Sequence, residues 1–363
     1  MSHHRAERMN IRIDEVAESR LSELDFSKIE FGNVFSDHLF RRNWEEGAWQ
    51  EASLIPYQSI PVNPAALGLH YGQAVFEGLK AYRGTQDGII RLFRPDRNAE
   101  RLQRSCERLC IPTVPTDDFL NAIQALVSLD RDWVPASRLQ TLYLRPILFG
   151  SEGHLAVRPS RTYEFWILAA PVSEYFDRAG PGISLKAEDR FTRAAPGGMG
   201  AAKTGGNYAA TLRPTGDSLA GGFNQVLWLD AHEHHFIEEA GQMNIFFRLG
   251  DTVVTPPLSG TILPGVTRDC VLTLIDEWGL AREERRISMD EIRDASQRGL
   301  LSEAFGAGTA AVVAPVQCIQ YRGTDIEVPD PGSDSLSKRL YDELTGIQYG
   351  EVSDRHGWTV DVT

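Results

Sequence analysis

Residues 197–212 read GGMGAAKTGGNYAATL, and the fold of the chain turns on what this glycine-rich corner is. It falls one residue short of a phosphate-binding loop. Gly197, four residues, then Ala202, Lys203 and Thr204 match G-x-x-x-x-G-K-T except that Ala202 stands in place of the last glycine. Such a loop must follow a buried apolar strand, and the preceding DRFTRAAP (189–196) is not one, which argues against nucleotide binding. A lone lysine among glycines is most often a solvated loop residue, so the meaning of Lys203 depends on what the other corners of the chain contain.

Three further corners bracket it. IEEAGQMNIFF (237–247) puts two glutamates at the head of an apolar strand. GTILPGVTRD (260–269) begins a helical pattern at Val266 and Thr267 just after Pro264-Gly265, and exposed amides at a helix start bind phosphate. EAFGAGTAAVVAPV (303–316) is a glycine-rich turn entering a strand. Each alone is also an ordinary turn, cap or hairpin. AHEHH (231–235) sits between two strand-like runs as a polar tip without recurring partners at ligand spacing, so no metal site is expected. A G-x-S-x-G nucleophile elbow is missing from the sequence.

The spaces between these corners alternate strands and helices. DRNAERLQRSCERLC (96–110) opens on Asp96 as a candidate N-cap and spaces Ala99, Leu102, Cys106 and Leu109 as a helix does. LYLRPILF (142–149), YEFWILAAPV (163–172), QVLWLD (225–230), FIEEAGQMNIFFRL (236–249) and TAAVVAPV (309–316) read as strands. Helical patterns cover 267–278, 289–299 and 334–345. SEYFDRAGPG (173–182) loses periodicity and carries Gly-Pro-Gly. A mixed α/β (α+β) fold is therefore expected, with a first domain over 1–172, an interdomain loop over 173–183 and a second domain over 184–363. A length of 363 residues suits two domains, because single cores stop growing at about 250 to 300 residues.

Bulk properties narrow the class. With 42% hydrophobic and 24% charged residues, a large apolar core is available. The net charge of −13 and the lack of any Lys/Arg block argue against a nucleic-acid or anionic-membrane partner. One or two arginines in a pocket still suffice for a small anion. Four cysteines without a CxxC pair give no disulfide framework and read as reduced thiols. The start, MSHHRAERMNIRIDEVAESR, lacks the apolar core of a secretory signal, and its acidic residues disfavour a transit peptide, so a cytoplasmic protein is expected.

Taken in order, LHYGQAVFEGLKAYRG (69–84), RLFRPDRNAERLQRS (91–105), LYLRPILFGSEGHLAV (142–157), AAKTGGNYAATL (201–212), EEAGQMNIFF (238–247), LPGVTRD (263–269) and FGAGTAAVVAPV (305–316) resemble the branched-chain amino acid aminotransferases, of pyridoxal-phosphate fold type IV. The likeness runs from about residue 31 to 329. It implies a smaller N-terminal α/β domain, a larger C-terminal pseudo-barrel domain that binds pyridoxal 5′-phosphate, and a homodimer. The implied reaction is reversible transamination of Leu, Ile and Val with 2-oxoglutarate. A D-amino-acid aminotransferase or a pyridoxal-phosphate lyase is the alternative on the same fold.

The resemblance also implies roles, residue by residue. Lys203 corresponds to the family lysine that forms the Schiff base and then moves a proton. Glu239, preferred to Glu238 by its spacing to Gln242 and Met243, corresponds to the carboxylate facing the pyridine nitrogen, and Tyr208 to the tyrosine on the ring oxygen. Arg101, the amides of Val266 and Thr267 and the hydroxyl of Thr309 would hold the phosphate, with Arg193 a further cation for that neighbourhood. Tyr71 and the amides near Ala310 and Ala311 would take the substrate α-carboxylate. Phe31, Phe76, Tyr143 and Tyr208 would wall an apolar pocket, with Arg145 placed for the distal carboxylate of glutamate. Leu155 and Val157 correspond to residues reaching into the partner subunit's pocket. Two positions depart from the pattern. Gln242 stands where the family usually has Thr, and Ala311 and Ala314 occupy the places of a redox CxxC found in mammalian members, so thiol switching is not expected.

Overall fold

The computed structural model describes residues 9–173, 182–330 and 332–363, so the expected interdomain loop 173–183 lies mostly outside the described residues. The chain divides into two compact units. The first comprises residues 1–173 with 202–205 and 346–363, and the second comprises 174–201 and 206–345. The short piece carrying Lys203 thus belongs to the first unit, although its sequence neighbours on both sides belong to the second.

The first unit is built on one sheet. Its strands are β1 (Ile11–Ile13), β2 (His38–Glu45), β3 (Ala48–Pro56), β4 (Ala74–Phe76), β5 (Leu79–Arg83), β6 (Ile90–Phe93), β7 (Gln140–Gly150) and β8 (Tyr163–Ser173). Their order is β1-β3-β2-β8-β7-β5-β6, completed by the C-terminal strand Thr359–Asp361, while β4 pairs with part of β7. The expected strands 142–149 and 163–172 are β7 and β8, which pair antiparallel along their whole length. Helices α1 (Leu67–Tyr71), α2 (Pro95–Arg108) and α3 (Thr116–Leu129) accompany the sheet. Phe119, Ala122, Ile123, Leu126 and Val127 of α3 fall at helical spacing and are buried, and Ala99, Leu102 and Cys106 of α2 join them in the core.

The start of α2 differs from expectation. Asp96 is not its cap: the helix begins at Pro95, after Arg94 in the left-handed conformation. Proline at the first helical position has its φ preset and loses no hydrogen bond, which leaves Asp96 in the first turn where a carboxylate suits the helix dipole.

The second unit closes into a barrel. Its strands are β9 (Ile183–Glu188), β10 (Gln225–Leu229), β11 (Ile237–Ala240), β12 (Met243–Leu249), β13 (Thr252–Thr255), β14 (Ala281–Glu284), β15 (Leu301–Gly308), β16 (Val312–Tyr321) and β17 (Thr324–Glu327). The order β11-β10-β9-β16-β15-β12 returns on itself because β11 also pairs with β12. Closure removes the free edges an open sheet would present. Helices α4 (Gly205–Ala220), α5 (Val266–Glu277), α6 (Met289–Gln297) and α7 (Leu336–Gln348) complete the described elements. No helix of the described residues is long and apolar enough to cross a membrane.

Two expected strands are corrected here. The run 236–249 is a hairpin rather than one strand: Gly241 takes a φ of +58°, and Ala240 pairs directly with Met243 across a two-residue turn. Gln242 therefore sits in a turn. The run 309–316 is likewise a turn, Thr309–Ala310–Ala311, followed by β16.

The AHEHH tip is organised by Asp230, whose carboxylate accepts the backbone N–H groups of His232, Glu233, His235 and Phe236 at 2.8–3.3 Å. Burial pushes its carboxyl pKa up, but these four bonds outweigh it and hold the group down at about 2. The stabilisation is present above the ordinary carboxylate value and is lost as pH falls through about 2. Asp230→Ala should lower stability by about 2 kcal/mol at pH 7, since four donors lose their acceptor. The difference should close between about pH 4 and pH 2 in unfolding midpoints of the two proteins. A gap independent of pH would contradict this account.

Candidate active site

Lys203 is placed by contacts of its backbone and of its neighbour Thr204 to two elements of the first unit, α2 and β4. Its N–H donates to Ser105 Oγ on α2 at 2.9 Å, and its carbonyl accepts from Phe76 N at the end of β4 at 3.0 Å. The next residue bridges to Val75, and Thr204 Oγ1 donates to the Ala74 carbonyl at 2.7 Å. The lysine therefore extends from a strand-like segment laid along β4.

The face of α2 that meets this segment is polar and buried. Asn98, Arg101 and Ser105 fall three and four residues apart, so one helix face presents all three. Arg101 donates from Nε and Nη2 to the two oxygens of Glu77 at 2.7 and 2.8 Å, and Asn98 Nδ2 adds a third donor at 2.8 Å. Glu77, Asn98 and Ser105 were not singled out from the sequence. The available signal was polar residues at helical spacing beside an apolar stripe, a pattern that by itself reads as a solvated face.

The surroundings of the half-buried Lys203 are charged and aromatic. Its Nζ lies 4.9 Å from the centre of the Phe76 ring. Burial lowers its pKa most, Arg101 and Arg145 push the same way, Glu77 and Tyr143 oppose them, and the result is about 8. An amine at that value exchanges protons near neutral pH, as a general acid/base requires.

Tyr143 and Arg145, two residues apart on β7, complete the wall. Arg145 Nη2 donates to the Tyr143 hydroxyl at 3.1 Å, and its guanidinium lies 4.9 Å from the Phe76 ring centre and 5.2 Å from that of Tyr143. Phe31 meets Tyr143 edge-on with ring centres 5.0 Å apart. A Cβ at Gly78 would stand 2.0 Å from the Tyr143 hydroxyl oxygen, so glycine is required for the tyrosine to lie where it does. Tyr71, Leu155 and Val157 stand on an exposed face of the same unit, where the Tyr71 hydroxyl donates to the Leu155 carbonyl.

In the second unit, Glu239 is the best-connected of the expected residues. Its carboxylate accepts from Arg193 Nη2 at 2.7 Å, from Leu263 N at 2.9 Å and from Asn244 Nδ2 at 3.3 Å. Arg193, expected beside a phosphate, pairs with this carboxylate, which the β11–β12 hairpin brings to it. Glu238 points into different company: it accepts from Thr261 Oγ1 at 2.5 Å, and burial raises its pKa. It lines a cavity of about 280 Å³ with Asp230, His232, Phe236, Thr261 and Arg286. Of the two glutamates, Glu239 is the one held beside a cation.

Asn244 also donates to the Leu263 carbonyl at 3.0 Å, and a Cβ at Gly265 would come within 2.1 Å of its Oδ1. This fixes the turn leading into α5. Gly265 is the N-cap of that helix and supplies no side-chain cap to the amides that begin with Val266 and Thr267. Thr309, Ala310 and Ala311 form the turn between β15 and β16, and Tyr208 lies in the first turn of α4.

A polar helix face that holds a lysine by its backbone, and a barrel carboxylate matched to an arginine, suit amino-group chemistry. The family model described as Amino-transferase class IV matches residues 74–319. Branched-chain-amino-acid transaminase 1 of Bacillus subtilis (strain 168) is 47% identical over 341 residues, covering 93% of this chain and 95% of that protein. This chain belongs to the branched-chain aminotransferases of class IV. The fold agrees: the crystal structure of the Escherichia coli branched-chain amino acid aminotransferase matches with a TM-score of 0.73 at 26% identity, covering 89% of this chain and 99% of that one. The enzyme of that name from Thermobaculum terrenum, solved in its PLP-form, matches in fold with a TM-score of 0.72 at 21% identity, covering 91% and 99%. The mixed α/β class and the barrel of the second unit are those of fold type IV.

The clash at Gly78 gives a test of the Lys203 half of this aminotransferase. Gly78→Ala should displace the Tyr143 hydroxyl by an ångström or more and cut kcat/KM by roughly a hundredfold. The unfolding midpoint should change little, because a side-chain tip can move. Wild-type kcat/KM in the variant would show that the placement of Tyr143 is irrelevant to turnover.

Proposed function

We propose that this chain transaminates Leu, Ile and Val with 2-oxoglutarate, as a cytoplasmic homodimer carrying pyridoxal 5′-phosphate on Lys203. The observation that carries the reading is the Lys203 amine, drawn down to about 8 by burial and flanked by Arg101 and Glu77 in a class IV aminotransferase chain. The donor set suits the cofactor: an amine of lowered basicity for its aldehyde, buried Arg101 for its phosphate and buried Glu239 for its pyridine nitrogen. When bound, the cofactor supplies an electron sink for the charge that develops at the substrate α-carbon.

The chain's own residues then divide the work. The Lys203 amine would take the proton from the substrate α-carbon and, as the ammonium so formed, give that same proton up on the cofactor side, a task its lowered basicity favours. Glu239, paired with Arg193 Nη2 at 2.7 Å, would face the cofactor's pyridine nitrogen, and Tyr208 would donate to its ring oxygen. In the first unit Arg101 would serve the phosphate, and in the second the amides of Val266 and Thr267 and the hydroxyl of Thr309 would be its candidates. Tyr71 and the amides of Ala310 and Ala311 orient the α-carboxylate. The exposed Leu155 and Val157 fit a role in covering the partner subunit's pocket, since apolar side chains on such a loop gain from burial in a dimer.

Phe31, Phe76 and Tyr143 would give the first unit's apolar wall for the substrate side chain and Tyr208 the second unit's, and Arg145 would serve the distal carboxylate of glutamate. Each methylene buried there contributes about 0.8 kcal/mol, so Leu should exceed Ala in kcat/KM by roughly fifty-fold. Glutamate should react, because its chain reaches Arg145. Aspartate should be poor, because its carboxylate is desolvated without that partner. Measuring kcat/KM over Leu, Ile, Val, Ala, Asp and Glu checks the reading. Ala or Asp outperforming Leu would overturn the branched-chain assignment and leave the aminotransferase assignment standing.

A further inference from the structure

Glu77 lies in the LHYGQAVFEGLKAYRG stretch, yet none of the roles above falls to it. It follows β4 directly, and its backbone N–H donates to the Pro146 carbonyl at 2.8 Å. The side chain is completely buried. Besides Arg101 and Asn98, the amide of Gly78 donates to it at 3.2 Å, so donors from α2 and from its own turn converge on one carboxylate. Burial pushes its pKa up, but the Arg101 charge and hydrogen bonds, with Lys203 and Asn98 adding to them, take it below the usual carboxylate range. It is an anion at neutral pH.

We propose that Glu77 is a positioning residue that locks the Arg101 guanidinium in one orientation toward the cofactor phosphate and supplies negative charge beside the Lys203 amine. The first half rests on the cofactor reading given above for Arg101. Two parallel bonds to one carboxylate fix both the plane and the direction of a guanidinium, which a single contact does not. Asn98 holds the carboxylate from one turn earlier on α2, and Ser105 holds the Lys203 backbone from one turn later. Arginine, carboxylate and lysine are therefore referenced to the same helix. The groups bearing on the amine are Arg101 and Arg145, which disfavour its charged form, and Glu77 and Tyr143, which favour it.

A purely structural ion pair makes a different prediction. Loosening the site through either partner would move every functional readout in the same direction. Partners of opposite charge beside a titrating amine instead move its titration in opposite directions, whatever they do to affinity.

The experiment uses the full-length apoprotein. Affinity for pyridoxamine 5′-phosphate, which has no aldehyde to react with Lys203, is measured by equilibrium dialysis, with pyridoxamine as the phosphate-free reference. The Lys203 titration is read from the pH dependence of acetic anhydride labelling at its peptide. Glu77→Gln should weaken pyridoxamine phosphate binding roughly tenfold, the scale of removing a residue that orients a ligating group, and leave pyridoxamine binding unchanged. Arg101→Gln should weaken it at least as much, and the double variant no further. The Lys203 midpoint should fall by about one pH unit in Glu77→Gln and rise in Arg101→Gln. Glu77→Asp, which keeps the charge, should restore the midpoint.

Wild-type affinity in Glu77→Gln beside a loss in Arg101→Gln would overturn the role of Glu77. So would midpoints that move in the same direction in the two variants. Wild-type affinity in Arg101→Gln would instead overturn the cofactor reading itself. If Glu77→Gln does not fold, the double variant, which leaves neither charge unpaired, is compared with Arg101→Gln. A lower midpoint at equal affinity is then expected, and an unchanged midpoint overturns the proposal.

Discussion

A buried guanidinium paired with a buried carboxylate beside a half-buried lysine is the constraint on which the first unit is organised. An unpaired charge in such surroundings would cost several kcal/mol, so the ions must be placed together and held. Helix α2 does this with one polar face, and the strand-like segment 202–205 brings the lysine to it. That segment leaves the sequence neighbourhood of the second unit for one backbone stretch. The arrangement ties the position of the amine to the core packing of Ala99, Leu102 and Cys106 on the adjacent stripe of the same helix.

The second unit solves a related problem with a barrel. Closing β11 onto β12 buries the whole of β11, and a buried Glu239 then needs a cation and donors. Arg193, Asn244 and the Leu263 amide supply them, and Asn244 also fixes the turn before α5. One hydrogen-bonded asparagine thus links the carboxylate to the helix start expected to face a phosphate. The close approach at Gly265 explains the glycine in LPGVTRD on steric grounds alone.

Much of the architecture was legible in sequence, and the misses have physical causes. Long strands with dense apolar content, β7 and β8, were read within two residues of their ends, as was α5. Turns inside apolar runs were not. FIEEAGQMNIFFRL hides its hairpin because Gly241-Gln242 interrupts no hydrophobic pattern, and Thr309–Ala311 looks like the strand it introduces. The barrel itself depends on β12 pairing with β15, some sixty residues further on, and local periodicity carries no information about such pairings. Motif order singles out Lys203, Arg101 and Glu239 as candidates, whereas Glu77 and Asn244 escape it because a glutamate before glycine and an asparagine after methionine have no local signature. Their importance appears only when burial and partners are known.

On the function proposed above, Lys203 binds the cofactor's aldehyde. The most direct measurement is borohydride reduction of the full-length protein loaded with pyridoxal 5′-phosphate, followed by peptide mapping. The account predicts a reduced pyridoxyl label on the peptide containing AAKTGGNY, at Lys203, and its loss in Lys203→Ala. A label on any other lysine, with Lys203→Ala still turning over leucine, would contradict it.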